Sequence, residues 1–328
     1  MKRFFLIILC MFYLVSCSVY SSVNNEKDET EMLSLATWNV QTFFDSEIEG
    51  TEYSDFQNLA KWSKDKYLTR LSRLCEVMTT LNADIFVLEE IENAAVVQDI
   101  SNLLAGKSWE KNKNWGYACF AREAEGSIGC AVFSRYELRN LQIHSMCVKS
   151  QGKDQPNVRP LMQVTVDVSG KELIVFVNHW KSKSGGEAES EIWRDWQESV
   201  IADSLGRLGE VEEELACILC GDFNRDAREF AGDYPTVLLR GCGYEAKVYS
   251  PWFNASGDYA TDTGSYFYNG EWERIDHIFA VGKLRISAFG PKTDGAWCSS
   301  GGIPEAYKLY SGEGYSDHLP LMCVITLG

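Results

Sequence analysis

The run Leu215 to Cys220 is broken by Gly221 and followed at once by Asp222-Phe223-Asn224. So short an apolar run, bounded by a glycine, reads as a buried strand. Gly221 lets the backbone bend where a side chain would obstruct. Asp222 and Asn224 then emerge at the strand's end, where a carboxylate and an amide can meet one ligand. Three more apolar runs repeat the design: Leu33 to Trp38 ends in Asn39, Asp84 to Leu88 in Glu89-Glu90, and Leu173 to Val177 in Asn178-His179. If these strands lie side by side, their polar ends share one rim.

The spacing around these runs sets the rest of the fold. Apolar residues from Leu68 to Leu81 recur at helical spacing, with Tyr67, Leu71, Leu74 and Met78 on one face. Asn93 is placed to cap a helix carrying Val96, Val97, Ile100 and Leu104. Trp115 to Phe120, Ile128 to Ser134 and Leu138 to Val148 read as consecutive antiparallel strands. Leu161 to Val168 and Glu172 to Val177 form a hairpin around Ser169-Gly170. Glu187 to Leu208 is a long helix. Ala227 to Thr263 reads mostly as loop and short helix, Gly264 to Tyr268 and Arg274 to Val281 as strands, Pro291 to Gly314 as an irregular excursion and Leu319 to Leu327 as a last strand. The chain shows no internal repeat, and one α/β domain over residues 33–328, with helices outside paired strands, fits best.

The first residues read as targeting, not structure. Lys2-Arg3 precede an apolar segment, Phe4 to Val15, that is too short for a comfortable membrane span. Leu14-Val15-Ser16-Cys17 resembles the bacterial lipobox, whose cysteine is lipidated after cleavage; an ordinary secretory signal with a chance cysteine is the alternative. Residues 1–17 are therefore expected to be a signal peptide, with Cys17 as the lipidation site. Residues 18–32, polar and acidic, are expected to be a flexible tether. Eleven cysteines less Cys10 and Cys17 leave an odd nine, so at least one is unpaired within a single chain. Cys217 and Cys220 have redox spacing, but strand alternation puts their sulfurs on opposite faces, and they read as core. A net charge of −16 argues against a protein held on nucleic acid by a broad basic face. It leaves room for an enzyme that touches a few phosphates and lets go.

Three of the four histidines stand in polar motifs: His179 after a strand, His277 beside Asp276, and His318 in Ser316-Asp317-His318. With Asn39, Glu90, Asp222 and Asn224, they make an inventory of carboxylates, amides and imidazoles. Hard oxygen donors suit Mg²⁺, with Mn²⁺ and Ca²⁺ as alternatives, better than zinc. Imidazoles beside such an ion suit acid–base work on water attacking phosphorus. His144, in a strand, reads as structural, and the Trp193 and Trp196 pair as helix packing. Lys181 and Lys183 have two readings, phosphate contact or a solvated face.

Five stretches together resemble the endonuclease/exonuclease/phosphatase superfamily, the fold of deoxyribonuclease I. They are Thr37-Trp38-Asn39-Val40, Leu88-Glu89-Glu90-Ile91-Glu92, Val177-Asn178-His179-Trp180-Lys181-Ser182, Gly221-Asp222-Phe223-Asn224 and Ser316-Asp317-His318; Arg274-Ile275-Asp276-His277-Ile278 is a weaker sixth. The resemblance implies a four-layer α/β fold, a two-sheet β-sandwich flanked by helices on both outer faces. It implies that Glu90, with Asn39 and Asp317 close by, holds the metal. Asp222 and Asn224 would orient the attacking water and the phosphate, and His318, partnered by Asp276, would act at phosphorus. His179 would be the second imidazole, and Arg159 matches a phosphate-contacting arginine. Glu89 is expected to be the outward neighbour of Glu90. The deoxyribonuclease branch gives the first histidine a glutamate partner from a strand near Ile128 to Phe133; Ser127-Ile128-Gly129-Cys130-Ala131 has no acid there.

The implied activity is metal-dependent hydrolysis of phosphodiesters, by an extracytoplasmic endonuclease acting on DNA or RNA. Inositol-phosphate, sphingomyelin-type or other small phosphoesters are the alternative substrates, and a surface binding protein on an inactive scaffold is the non-enzymatic alternative. The expected partners are a transiently bound nucleic acid or other phosphoester and, through the lipidated N-terminus, a membrane of the cell envelope; the expected state is a monomer.

Overall fold

A computed structural model describes residues 31–58, 61–107, 114–146, 155–156, 158–209 and 215–328. Cys17, the expected signal peptide and most of the expected tether lie outside them. The first elements are β1 (Glu31–Phe43), α1 (Lys64–Leu81), β2 (Ile85–Ile91), α2 (Ala94–Lys107), β3 (Tyr117–Ala121), β4 (Gly129–Ser134) and β5 (Glu137–His144). Then come β6 (Leu161–Val168), β7 (Lys171–His179), α3 (Glu187–Gly209), β8 (Ala216–Asp222), β9 (Thr236–Arg240) and β10 (Glu245–Tyr249). The chain closes with β11 (Tyr266–Tyr268), β12 (Glu271–Glu273), β13 (Asp276–Gly282), β14 (Leu284–Pro291) and β15 (Leu321–Leu327). β1 takes in Glu31 and Met32, which the sequence assigns to the tether.

Two sheets form, ordered β14-β15-β1-β2-β4-β3 and β5-β6-β7-β8-β13-β10-β9, with β11-β12 as a separate hairpin. The side-chain period of two sorts each central strand. Leu33 and Leu35 of β1, Ile85 and Val87 of β2, Val175 and Val177 of β7, and Ile218 and Cys220 of β8 pack into the layer between the sheets. Their neighbours Trp38, Phe86 and Leu88 pack outward against α1 and α2. Phe176, Cys217 and Leu219 pack outward against α3. The order of layers is thus helices, sheet, sheet, helix, the four-layer sandwich expected. Cys217 and Cys220 lie on opposite faces of β8, and none of the eight described cysteines is in a disulfide.

Local signals fix the helix ends. Ser63 caps α1 by accepting from Lys66 N, and Asn82 closes it in the left-handed region, its N–H reaching Met78 O. Asn93 Oδ1 accepts from Val96 N at 3.0 Å, the expected cap of α2. β6 and β7 make the expected hairpin, with Ser169 and Gly170 both at positive φ.

Three expectations need correction. β3 and β4 pair, but β5 joins β6 in the other sheet, so the chain changes sheets between Ser134 and Glu137. The stretch expected to be mostly loop and short helix contains the β9-β10 hairpin, whose Val237, Leu239, Ala246 and Val248 alternate onto the α3 face. β14 extends the first sheet past β15, where no strand was expected; its largely exposed residues and a bulge mask its alternation.

Candidate active site

Both sheets contain one parallel pair, β1 with β2 and β7 with β8, and both pairs end at the same rim. Parity then decides what reaches it. Asn39, His179 and Asp222 share the inward face of Leu35, Val177 and Cys220 on their strands. β13 runs antiparallel to β8 with Asp276 opposite Asp222 and His277 opposite Gly221. Asp276 therefore faces the layer between the sheets. His277 faces the other way, buried among Phe223, Phe230 and Phe279, with Nε2 donating to Arg225 O at 2.9 Å. It takes no part in the rim. His144 also serves structure, its Nε2 lying 2.9 Å from Gln163 Oε1.

Gly221 is required by a close approach. Its φ is +122°, and a Cβ there would stand 2.0 Å from Asn178 O. This contact lets β7 and β8 run together to their last residues. Asn224 follows at φ +47°, with its backbone N–H donating to Asp222 Oδ1 at 2.8 Å. Asn39 Nδ2 donates to Asp222 Oδ2 at 2.9 Å and lies 3.2 Å from Glu90 Oε1. Asp222 is thus pinned through both oxygens. Asn224 Nδ2 donates to Trp180 O.

Glu89 keeps the inward face that parity with Ile85 and Val87 assigns it, and Glu90 departs from its own. Glu89 points inward, completely buried, with Thr37 Oγ1 donating to it at 2.7 Å. Burial, then the nearby Asp276 and Asp222, push its carboxyl well above the usual range, so it is held neutral. The expectation of an outward Glu89 is therefore wrong. Strand pairing slips between Glu89 and Ile91, and Glu90 has φ +67°, which swings its side chain to the rim. Thr42 N and Oγ1 hold Glu90 Oε2 at 2.5 and 3.0 Å.

The residues that position this end of β1 were not foreseen. Gln41 and Thr42 both have φ +55°, a conformation that persists only when its surroundings enforce it. Arg70 enforces it from α1: its guanidinium donates to Thr42 O, Val40 O and Gln41 O and lies 3.8 Å from the Tyr307 ring centroid. A signal was present, since Arg70 sits on the apolar stripe of Tyr67, Leu71 and Leu74, where a charge is costly unless paired.

The two imidazoles stand on either side of Asp222. His318 Nε2 is 4.0 Å and His179 Nε2 is 3.8 Å from Asp222 Oδ2, and His179 Nε2 is 3.6 Å from Glu90 Oε1. Behind His318, Asp276 Oδ2 lies 2.8 Å from Nδ1. Burial alone would lower the His318 pKa, but Asp276, Asp222 and Asp317 outweigh it and hold it well above the ordinary value. His179 Nδ1 is buried with no partner. Burial, then Arg159, His318 and Lys181, hold its pKa well below the ordinary value. The missing acid after Ser127 is therefore not replaced from elsewhere among the described residues.

Burial and the adjacent Asp276 raise Asp222 to about 7, with His318 opposing. Burial also raises Asp317, against the pull of His318, and Glu90 adds to the rise. So many buried carboxylates with one cationic imidazole leave a surplus of negative charge, and Asp276 Oδ1 has no partner. Apart from the His318 nitrogen, the donors are oxygens, which suit a hard divalent cation. Asp222, Asp276 and His318 offer ligand atoms within 4.8 Å of one another; Asn39, Glu90 and Asp317 border them. Tyr266, at the rim, places its ring centroid 4.8 Å from that of His318 and stacks on the exposed Tyr268. Arg159 lies to the other side, its Nη1 3.5 Å from Trp180 O.

Residues 34–288 match the model of the Endonuclease/Exonuclease/phosphatase family. No curated protein sequence matches the chain significantly. Among solved structures, the chain resembles TDP2 from C. elegans (TM-score 0.59, 14% identity, covering 90% of this chain and 75% of that one). It resembles D. rerio TDP2 complexed with a single strand DNA product (TM-score 0.55, 19% identity, 90% and 99%). The human Nocturnin catalytic domain with bound sulfate anion is similar too (TM-score 0.54, 16% identity, 91% and 98%). At such identities the neighbours establish the fold, and the family match, spanning most of the chain, establishes kinship. The chain belongs to the endonuclease/exonuclease/phosphatase family, hydrolases of phosphoester bonds that typically use divalent metals.

Proposed function

We propose that this chain is an extracytoplasmic endonuclease that cleaves phosphodiester bonds in DNA or RNA with Mg²⁺, tethered to the cell envelope through lipid on Cys17. The observation that carries the chemistry is the pair of oppositely poised imidazoles around Asp222. His318, cationic and fixed by Asp276 at Nδ1, presents Nε2–H to the developing charge on phosphorus or to the leaving oxygen. Asp222, with its pKa near 7, is poised to accept a proton from the attacking water. Asn224 and Asn39 fix that carboxylate's two oxygens. Neutral His179 orients a phosphate oxygen by hydrogen bonding without competing for the proton. Glu90, with Asn39 and Asp317, is the assigned seat of the cation, which neutralises phosphate charge when bound. Nucleic acid is favoured as substrate by the DNA product bound to D. rerio TDP2 and by the half-buried Tyr266 beside His318, which stacks on the exposed Tyr268.

A substrate panel tests this reading: plasmid DNA, RNA, a model phosphodiester, a model phosphomonoester and lipid head groups, each with Mg²⁺ and with chelator. Cleavage of DNA or RNA that chelator abolishes is expected. Preference for the monoester would install the phosphatase reading. Turnover of nothing would install the binding-protein reading.

A further inference from the structure

On the phosphodiesterase reading above, we propose that a groove beside the rim seats a second phosphate of the substrate, so that the enzyme favours diesters carrying a neighbouring phosphate over isolated ones. The groove has a volume of about 190 Å³, and its lining includes Tyr53, Ser127, Arg159, Lys181 and Ser182. At roughly 30 Å³ per water, it has room for a phosphate and part of a sugar.

Its charge pattern points to an anion. Arg159 and Lys181 converge there in a chain whose net charge is −16. Carboxylates to neutralise them are plentiful in the sequence, yet among the described residues neither cation forms an ion pair. Arg159 makes only the long contact to Trp180 O. Lys181 Nζ meets only Ser182 O at 3.1 Å, Ser182 Oγ at 3.5 Å and Ser184 O at 3.4 Å. Burial, then Arg159 and Arg194, lower the Lys181 pKa, so the pair is held together against repulsion. Lys183, two residues on, provides the contrast: Glu187 and Glu229 neutralise it at 3.0 and 3.1 Å. Of the two lysines with an ambiguous sequence reading, one is a paired surface charge and the other is left for a ligand. Glu123, the single carboxylate on the groove's lining, accepts from Ser145 Oγ at 3.1 Å.

The groove is continuous with the site. β7 delivers His179 to the rim, and Lys181 follows two residues later. Trp180 O, between them, receives both Arg159 Nη1 and Asn224 Nδ2. Tyr53 stands within electrostatic reach of both Arg159 and Glu90, with its ring edge-on to Phe44. An anion in the groove would thus be next to the phosphate at Glu90, with Tyr53 near both.

The test compares dinucleotides that share one diester: one without terminal phosphates, one with a phosphate on the first nucleoside, one with a phosphate on the last. Wild type, Lys181→Met, Lys181→Arg and Lys183→Met are assayed with Mg²⁺ at low salt. A wild-type kcat/KM about tenfold higher for one phosphorylated dinucleotide is expected, the effect of one charge-assisted contact. Lys181→Met should erase that advantage through KM. Lys181→Arg should restore it, and Lys183→Met should keep it. Equal rates for all three substrates in wild type would overturn the proposal while leaving the phosphodiesterase reading intact. So would a Lys181→Met loss equal on all three. Failure of wild type to cleave any diester would overturn both.

Discussion

His318 and His179 are the same residue type at 4.0 and 3.8 Å from the same carboxylate oxygen, yet their surroundings push their pKa values in opposite directions. His318 has Asp276 behind it, and two further carboxylates in reach. His179 has nothing behind Nδ1, and burial, with Arg159, His318 and Lys181 nearby, disfavours its charge. What differs is the far side of the ring, not the side that faces the substrate. Proximity to Asp222 sets where each imidazole can act, and the partner at Nδ1 sets what each can do. One can give a proton, and the other can only offer a hydrogen bond.

The largest expected effect tests the backed imidazole. His318→Ala should lower turnover by roughly 10²–10⁴-fold. Asp276→Asn should lower it too and bring the alkaline limb of the pH–rate profile to lower pH, because losing the carboxylate lowers the imidazole's pKa. The double variant should be little worse than His318→Ala alone, since members of one unit are not additive. Losses that multiply in steady-state kinetics would show two independent groups. The unbacked imidazole should matter less. His179→Gln, which can still donate a hydrogen bond, should cost about tenfold and leave the alkaline limb in place. A loss as large as that of His318→Ala, or a displaced alkaline limb, would mean that His179 transfers protons and that the asymmetry has no functional weight.

The smallest effect concerns the third histidine, which lies off the rim among phenylalanines, with Asp226 and Asp276 only weakly opposing its burial. Burial holds the His277 pKa at about 4, below its unfolded value of about 6.5. The native state keeps it neutral while the unfolded chain takes up a proton below pH 6.5. Its contribution to stability is therefore complete above pH 6.5 and is lost as pH falls towards 4, by at most about 1.4 kcal/mol per pH unit. His277→Phe should remove that share of the pH dependence, read from urea denaturation at pH 7 and pH 5, and leave turnover nearly unchanged. An unaltered pH dependence of stability would place the protonation elsewhere.

Much of this was legible because alternation is a strong constraint. Given that Leu215 to Cys220 is a strand, Asp222 must face inward, and its partner strand must then turn Asp276 in and His277 out. What escaped lies where alternation fails. Glu89 and Glu90 are adjacent carboxylates separated by a bulge, and nothing in their order says which one the bulge rotates. β9 and β10 are short and lie among glycines and aromatics, and β14 is mostly exposed, so none stands out as an apolar run. The strands β3, β4 and β5 have the right period, but period does not say which sheet a strand joins. The groove beside the rim is harder still. Tyr53, Arg159 and Lys181 come from three distant loops, and only the packed sandwich brings them together.

The direction of β1 bears on what such an enzyme can reach. This strand enters the fold at Glu31 and delivers Asn39 to the rim eight residues later (39 − 31), a span of about 26 Å at ~3.3 Å per residue. The chain's entry and its chemistry are therefore at opposite poles of the domain. Under the lipid anchorage proposed at Cys17, the tether expected over residues 18–32 would join the domain at the pole away from the catalytic rim, leaving that rim free to meet the polymers drifting past the surface.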